Sequence, residues 1–257
     1  VLLKLLIVGY LLFLIVKEYD SLHFGTTFFY FILVGFIAQI IDGALGMAYG
    51  VSCTSLLLYF GIPANLASAS VHTSEIFTTG VSGLAHIKFD NIDKKLFFQI
   101  VITGSIGAMI GAYLISDFFN GKLIRPFVSA YLIILGFYIL SKAFKKKVVN
   151  SEVKQASILA FFGGLLDALG GGGWGPIVTT NLLSQGKNVR HAIGTVNTAE
   201  FFVTYFATAI FIFILGVQHL QIVLGLIVGG VIAAPFGAYI ASRINQKLLL
   251  ILVGILV

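Results

Sequence analysis

Charge is what this chain has least of. Asp, Glu, Lys and Arg make up 10% of its 257 residues, against 58% that are hydrophobic, and the mean hydropathy is +1.03. Soluble domains carry about 25% charged residues, so this composition excludes a water-facing globular surface. Cysteine is almost missing. Cys53 stands alone in an apolar stretch, which rules out a disulfide framework and a cysteine-rich metal site and leaves it a small core residue. Strict apolar–polar alternation is missing too, and with it the signature of a membrane β-barrel. What remains is an all-α polytopic membrane protein, because backbone polar groups in hydrocarbon must bond within their own helices.

The few charges are informative in their placement. The net charge is +6 and the pI about 9.4, which in a soluble chain would suggest a nucleic-acid partner. Here the basic residues fall between apolar runs such as Phe28 to Ile41, Leu96 to Ile115 and Phe201 to Leu215, each with the length and low charge of a spanning helix. They read as topology signals, so the lipid bilayer is the expected partner and nucleic acid is not. Val1 to Val16 has no small-residue cleavage site before Lys17-Glu18, so residues 1–26 read as an N-terminal transmembrane helix and loop rather than a signal peptide. The chain starts without methionine and stops at Val257 inside an apolar run, so both ends read as trimmed.

The sequence also repeats itself, at an offset of 125 positions from Asp42 to Asp167. At that offset Gly46, Gly50, Thr54 and Gly61 fall on Gly171, Gly175, Thr179 and Gly186, and the segment Ser70 to Glu75 falls on Thr195 to Glu200. Residues 27–141 form repeat 1, 142–155 a lysine-rich linker and 156–257 repeat 2, cut short at its C-terminus. Five lysines between Lys142 and Gln155 place the linker in the cytoplasm. Lys88, Lys94 and Lys95 put the loop after the first repeat's polar helix inside, whereas its counterpart, 216–221, has no basic residue. Conversely Gly61 to Asn65 is uncharged and its counterpart holds Lys187 and Arg190. Equivalent loops face opposite sides, so the repeats are expected to be inverted, although Lys122 and Arg125 then sit in a loop assigned outside. Each repeat would be a broken helical hairpin (Phe28 to Phe60, Ser157 to Ser184) followed by about three crossings, the pattern of a secondary transporter.

The breaks carry the first chemical signal. A helix restarting after Asp42-Gly43 or after Gly170 to Gly173 presents unpaired N–H groups and the positive end of its dipole, and glycine lets an oxyanion approach that backbone. The binding residues expected from this are Gly43, Gly46 and Gly50 in one tip and Gly171, Gly172 and Gly173 in the other, with Ser70, His72, Thr195 and Asn197 on the helices that follow. Close helix packing is the competing use of such glycines. The second signal is a polar stripe, Ser68, His72, Glu75, Thr79, Ser82 and His86, down a helix from about Ala64 to Ala85, with Asn197, Glu200 and Thr204 as its shorter counterpart. An acid at mid-membrane depth marks a functional site by default, so Glu75, Glu200, Asp42 and Asp167 are candidates for proton coupling or gating, with His72 a proton partner for Glu75. Asp42 and Asp167 serve equally well as caps of the restarting helices. Trp174 and Met47 read as packing for the tips. No catalytic residue, metal ligand or cofactor is assigned.

At these residues the chain resembles the TauE/SafE family of sulfite exporters, the TSUP family of sulfur-anion transporters. Gly170 to Gly173 followed by Pro176 resembles the family's glycine-rich motif, Ala192 to Thr195 the opening of the next helix, and Asp42 to Gly50 with Ala67 to Glu75 the matching pair in the first half. The similarity runs from Gly35 onward. It implies a multi-pass protein of the cytoplasmic membrane that exports a small sulfur oxyanion, sulfite or an organosulfonate such as sulfoacetate, by alternating access, with proton coupling and a homodimer left open. Departures are Asp42 to Gly46, where many members have a denser glycine cluster, and the polar pair His72 and Glu75. The alternatives are an importer or channel for thiosulfate or sulfate and, more remotely, an intramembrane aspartyl protease built on Asp42 and Asp167. The latter is disfavoured because Gly163 to Asp167 lacks the Gly-x-Gly-Asp pattern, and an enzyme is not expected.

Loop charge gives a direct test of topology. In a Cys53→Ser background, a cysteine at Asn150 is expected to react with a membrane-impermeant thiol reagent only from the cytoplasmic side, and one at Asn65 only from outside. Labelling of both from one side would remove the inverted arrangement.

Overall fold

A computed structural model of the chain describes residues 25–45, 47–88, 90–119, 121–144, 155–185, 187–216 and 220–241, with a few isolated positions beyond. The expected N-terminal helix, most of the lysine-rich linker, Gly46 and the end of repeat 2 lie outside the described residues. Every described regular element is helical. The helices are α1 (Thr26–Leu45), α2 (Tyr49–Tyr59), α3 (Ala64–Lys88), α4 (Lys94–Tyr113), α5 (Gly121–Ala143), α6 (Ala156–Gly170), α7 (Thr180–Ser184), α8 (Val189–Leu215) and α9 (Leu220–Ala241). A π-helical turn, Leu114–Phe118, extends α4, and another, Gly175–Thr179, leads into α7.

This order repeats at the offset read from the sequence. α1 and α2 correspond to α6 and the π-turn with α7, α3 to α8, and α4 to α9. The segments 94–118 and 191–215 are long and apolar enough to cross a membrane, and α1, α5, α6 and α9 contain shorter apolar helices. The distribution of polarity fits hydrocarbon around the bundle. Ser52, Thr54, Ser68, His72, Ser74, Glu75, Asp167 and Thr204 are buried, whereas Phe29, Phe98, Ile102, Phe127, Ile134 and Phe213 are exposed. Lys122 and Arg125, assigned by sequence to a loop, belong to the first turns of α5.

The two halves interlock. Repeat 1's α4 packs along α6 of repeat 2, and repeat 2's α9 packs along α1 of repeat 1. Both crossings are glycine-lined. A methyl group on Gly107 or Gly111 would overlap the Phe161 or Leu165 carbonyl, and one on Gly229 or Gly35 would overlap the Ile32 or Leu226 carbonyl. Between these pairs lie α3 and α8. Phe211 of α8 meets His72, Thr198 meets Gly83, and Gly194 meets Asn91 just past the end of α3. The partner number falls as the α3 number rises, so these equivalent helices run antiparallel.

At one end of this pair, Asp93 ties three segments together. Its Oδ1 accepts the Leu96 N–H at 3.0 Å, capping α4; its own N–H donates to Thr195 Oγ1 at 2.9 Å; and its Oδ2 accepts Lys187 Nζ. Partial burial pushes the Asp93 carboxyl up, but the Lys187 ammonium and the Leu96 and Lys95 N–H groups outweigh this and hold it below the ordinary aspartate value. Its contribution to stability is therefore complete above about pH 4, the unfolded value, and is lost as pH falls through the lower folded value. Asp93→Ala is expected to cost about 1 kcal/mol at neutral pH. The difference from the parent should shrink on acidification in thermal melts of the detergent-solubilised protein.

Candidate functional site

The two hairpins break for the same local reason. In repeat 1, α1 continues through Gly43 to Leu45, so the break comes after the Asp42-Gly43 step at which the sequence suggested it. Ala48, in the left-handed region at φ 102°, turns the chain, and α2 starts at Tyr49. Asp42 Oδ1 then accepts the Tyr49 N–H at 3.3 Å. In repeat 2, α6 ends at Gly170, Gly171 makes the turn at φ +68°, and Asp167 Oδ1 accepts the Trp174 N–H at 2.9 Å. Asp42 and Tyr49 fall on Asp167 and Trp174 at the repeat offset, so both aspartates cap the restarting half-helix in the same way. A carboxylate there answers one of the unpaired N–H groups that a helix start exposes.

The two tips touch. A Cβ on Gly50 would lie 3.0 Å from Gly172 Cα and 3.0 Å from Glu75 Oε1, and one on Gly172 would overlap the Gly50–Val51 backbone. Side-chain hydroxyls fix the second tip: Thr54 donates to the Gly171 carbonyl, and Tyr131, from α5, donates to the Gly172 carbonyl at 3.1 Å. Tyr131 also fills the space beside Gly170 and Gly173, where a methyl group would strike its ring or hydroxyl. Trp174 is wholly buried, with its ring against Gly104 and its Nε1 donating to the Val196 carbonyl at 3.3 Å. Met47 packs against Gly175.

Beside the tips stands the polar stripe of α3. His72 is fully buried, and its Nε2 lies 3.1 Å from Asp167 Oδ2. Its Nδ1 lies 2.9 Å from the Ser68 carbonyl, and the Ser68 hydroxyl donates to the Ala168 carbonyl at 2.7 Å. Glu75 is 3% exposed and within electrostatic reach of Asp42, Asp167 and Glu200. One donor atom each from His72, Glu75 and Asp167 falls within 4.8 Å of the others. Both nitrogens of His72 and both oxygens of Asp167 are engaged within the protein, so these two form a hydrogen-bonded pair with Glu75 beside it rather than an open set of metal ligands.

Of the residues singled out by sequence, the structure thus gathers Gly50, Gly171, Gly172, Gly173, His72, Glu75, Asp42, Asp167 and Glu200 around the tips. Ser70 is buried on α3. Thr195 and Asn197 are turned to other partners, the Asp93 N–H and, at 3.2 Å, the Ser82 hydroxyl. Gly43 lies inside α1, and Gly46 is outside the described residues. Sequence reasoning missed Tyr131 and left Thr54 without a role. The match of Thr54 with Thr179 was a signal for the latter, but a lone tyrosine in an apolar helix gave none for the former.

A bundle of interlocked repeats with two capped half-helices meeting beside buried acids is the architecture of a membrane transporter. The sequence profile of "Sulfite exporter TauE/SafE" matches residues 31–257, and the chain belongs to that family. It is 45% identical over 234 residues to "Probable membrane transporter protein YtnM" of Bacillus subtilis (strain 168), covering 87% of this chain and 78% of that one. It is also 30% identical over 173 residues to "Probable membrane transporter protein YdhB" of the same organism, covering 64% and 70%. No solved structure matches the chain.

Contact between the tips sets the expected effect of a substitution there. Gly172→Ala forces a methyl group into the Gly50–Val51 backbone and should destabilise the protein by about 1–3 kcal/mol. Gly25→Ala, with nothing within 4 Å of the added carbon, is the matched control and should melt like the parent. Equal melting of the two variants in detergent would separate the tips.

Proposed function

We propose that this transporter moves a small sulfur oxyanion, sulfite or an organosulfonate such as sulfoacetate, out of the cell across the cytoplasmic membrane by alternating access. The observation that carries this is the meeting of two capped half-helix tips at Gly50 and Gly172, among buried carboxyls. The first-turn N–H groups of the two restarting helices and their dipoles favour an anion. Glycine at the contact lets the tips close tightly in one state and admit an oxyanion between them when they part. The family's name supplies the sulfur chemistry.

Alternating access also needs two halves that trade places, and the antiparallel course of α3 and α8 supports inverted repeats. So does the contact of Lys187 with Asp93, which brings the basic loop of the second hairpin to the basic loop holding Lys88, Lys94 and Lys95. Both belong on the cytoplasmic side.

Charge balance supports proton coupling. Glu75 and Glu200 each lie within electrostatic reach of Asp42 and Asp167, and no lysine or arginine stands among the buried polar residues described. An arriving anion and four carboxylates cannot share that interior as five uncompensated negative charges. Protons are the counter-charge this arrangement admits, and Glu75, at the tip contact, is placed to feel the anion arrive.

The test is flux in proteoliposomes with radiolabelled sulfite, sulfoacetate, thiosulfate and sulfate, with and without an imposed pH gradient. Saturable sulfite or sulfoacetate movement, accelerated by the gradient, is the expected result. Movement of thiosulfate or sulfate alone would give the protein a different substrate, and no flux above empty liposomes for any of the four would remove the reading.

A further inference from the structure

The hydrogen bonds around His72 fix where a proton must sit. Nδ1 faces two acceptors: the Ser68 carbonyl oxygen at 2.9 Å, and the Ser68 hydroxyl oxygen at 3.4 Å, whose own hydrogen is committed to Ala168. Nδ1 is therefore the donor and carries a hydrogen. In a neutral imidazole the other nitrogen, Nε2, is then a bare lone pair. It lies 3.1 Å from Asp167 Oδ2, and an ionised carboxylate has only lone pairs to offer as well. Two acceptors do not hold each other at that distance in a site buried from water. We propose that His72 and Asp167 form a binding site for one proton, held between Nε2 and Oδ2, either as imidazolium with carboxylate or as neutral imidazole with carboxylic acid.

The second oxygen of Asp167 makes this site more than a local pair. Oδ1 holds the Trp174 N–H at the start of the restarting helix, so the same carboxyl joins α3 of repeat 1 to the glycine tip of repeat 2. While the proton is present, Asp167 bridges the two. When it leaves, a lone pair faces a carboxylate, and the repulsion drives α3 and the tip apart. The proton thus acts as a removable fastener between the halves.

The matching position of the other half has no such pair. His72 corresponds to Asn197 and Asp167 to Asp42 at the repeat offset. Asn197 has no titratable nitrogen, and its amide donates to Ser82 instead. One protonatable pair in a doubled framework predicts one proton per cycle at this position. The ionisable groups around it are Glu75 on α3, Glu200 on α8, Asp42 on α1, Tyr131 on α5 and, beyond Glu75, Tyr49 and Cys53 on α2. The Phe211 ring, 5.6 Å from the imidazole centroid, closes the remaining side with an apolar wall.

This inference rests on the transport reading for its role but not for its existence, and the experiment separates the two. Nitrogen NMR on purified protein with isotopically labelled histidine, compared with His72→Gln for assignment, reads the protonation of each ring nitrogen without any substrate. His72 Nδ1 is expected to carry a hydrogen at neutral pH, as its bond to the Ser68 carbonyl requires. A bare Nδ1 at neutral pH would overturn the site, as would a stoichiometric divalent metal released from the purified protein by chelator. In proteoliposomes containing a pH dye, a sulfite gradient should move protons with the parent protein. In His72→Gln and in Asp167→Asn, which keep a hydrogen bond without a titratable pair, that proton signal should fall at least tenfold. Its loss in Glu75→Gln but not in His72→Gln would place the proton on Glu75 and refute the assignment.

Discussion

Hydrocarbon offers no hydrogen bonds, and a helix interrupted inside it exposes backbone groups that must find partners within the protein. In this molecule the answer is one carboxylate per break. Asp42 and Asp167 each reach across the interruption to the first N–H of the restarting half-helix. The hydroxyls of Thr54 and Tyr131 then take up the Gly171 and Gly172 carbonyls. Without these partners an unsatisfied polar group would cost roughly 1–3 kcal/mol. Much of the polar interior follows from this requirement, because the side chains that satisfy the breaks are the ones that then surround them.

How much of this was legible in the sequence depends on whether the signal was local or came from contact. The repeat was legible because it is a property of sequence order, and the matched helix order follows it element by element. The stripe on α3 was legible because helical spacing sets which residues share a face, and Ser68, His72, Glu75 and Thr79 are all buried as that spacing requires. The place of the first break was not. Gly43 looked like a stop, but Asp42 caps forward over seven residues, and the helix carries on to Leu45 before Ala48 turns it.

Partnerships between the halves were the least visible. Nothing in the spacing of His72 and Asp167, 95 positions apart, says that they meet, and sequence reasoning paired His72 with Glu75, one turn along the same helix. Thr195 and Asn197 illustrate the converse. Their match to Ser70 and His72 suggested equal roles, yet each found a different partner because the side chains opposite them differ. A repeat preserves the backbone frame more faithfully than the chemistry hung on it.

The interlocking of the halves also bears on how the chain is made. Since α1 lies against α9 and α6 against α4, the first helix of each repeat has its principal neighbour in the other repeat. During synthesis α1 enters the membrane some 175 residues before α9 begins, measured from Leu45 to Leu220. Its glycine-lined face, including Gly35, must spend that interval against lipid or against whatever the insertion machinery provides. Order of assembly is therefore imposed by the weave: the bundle closes from the C-terminal side, and a ribosome stalled before α9 would leave a first half inserted but unclosed.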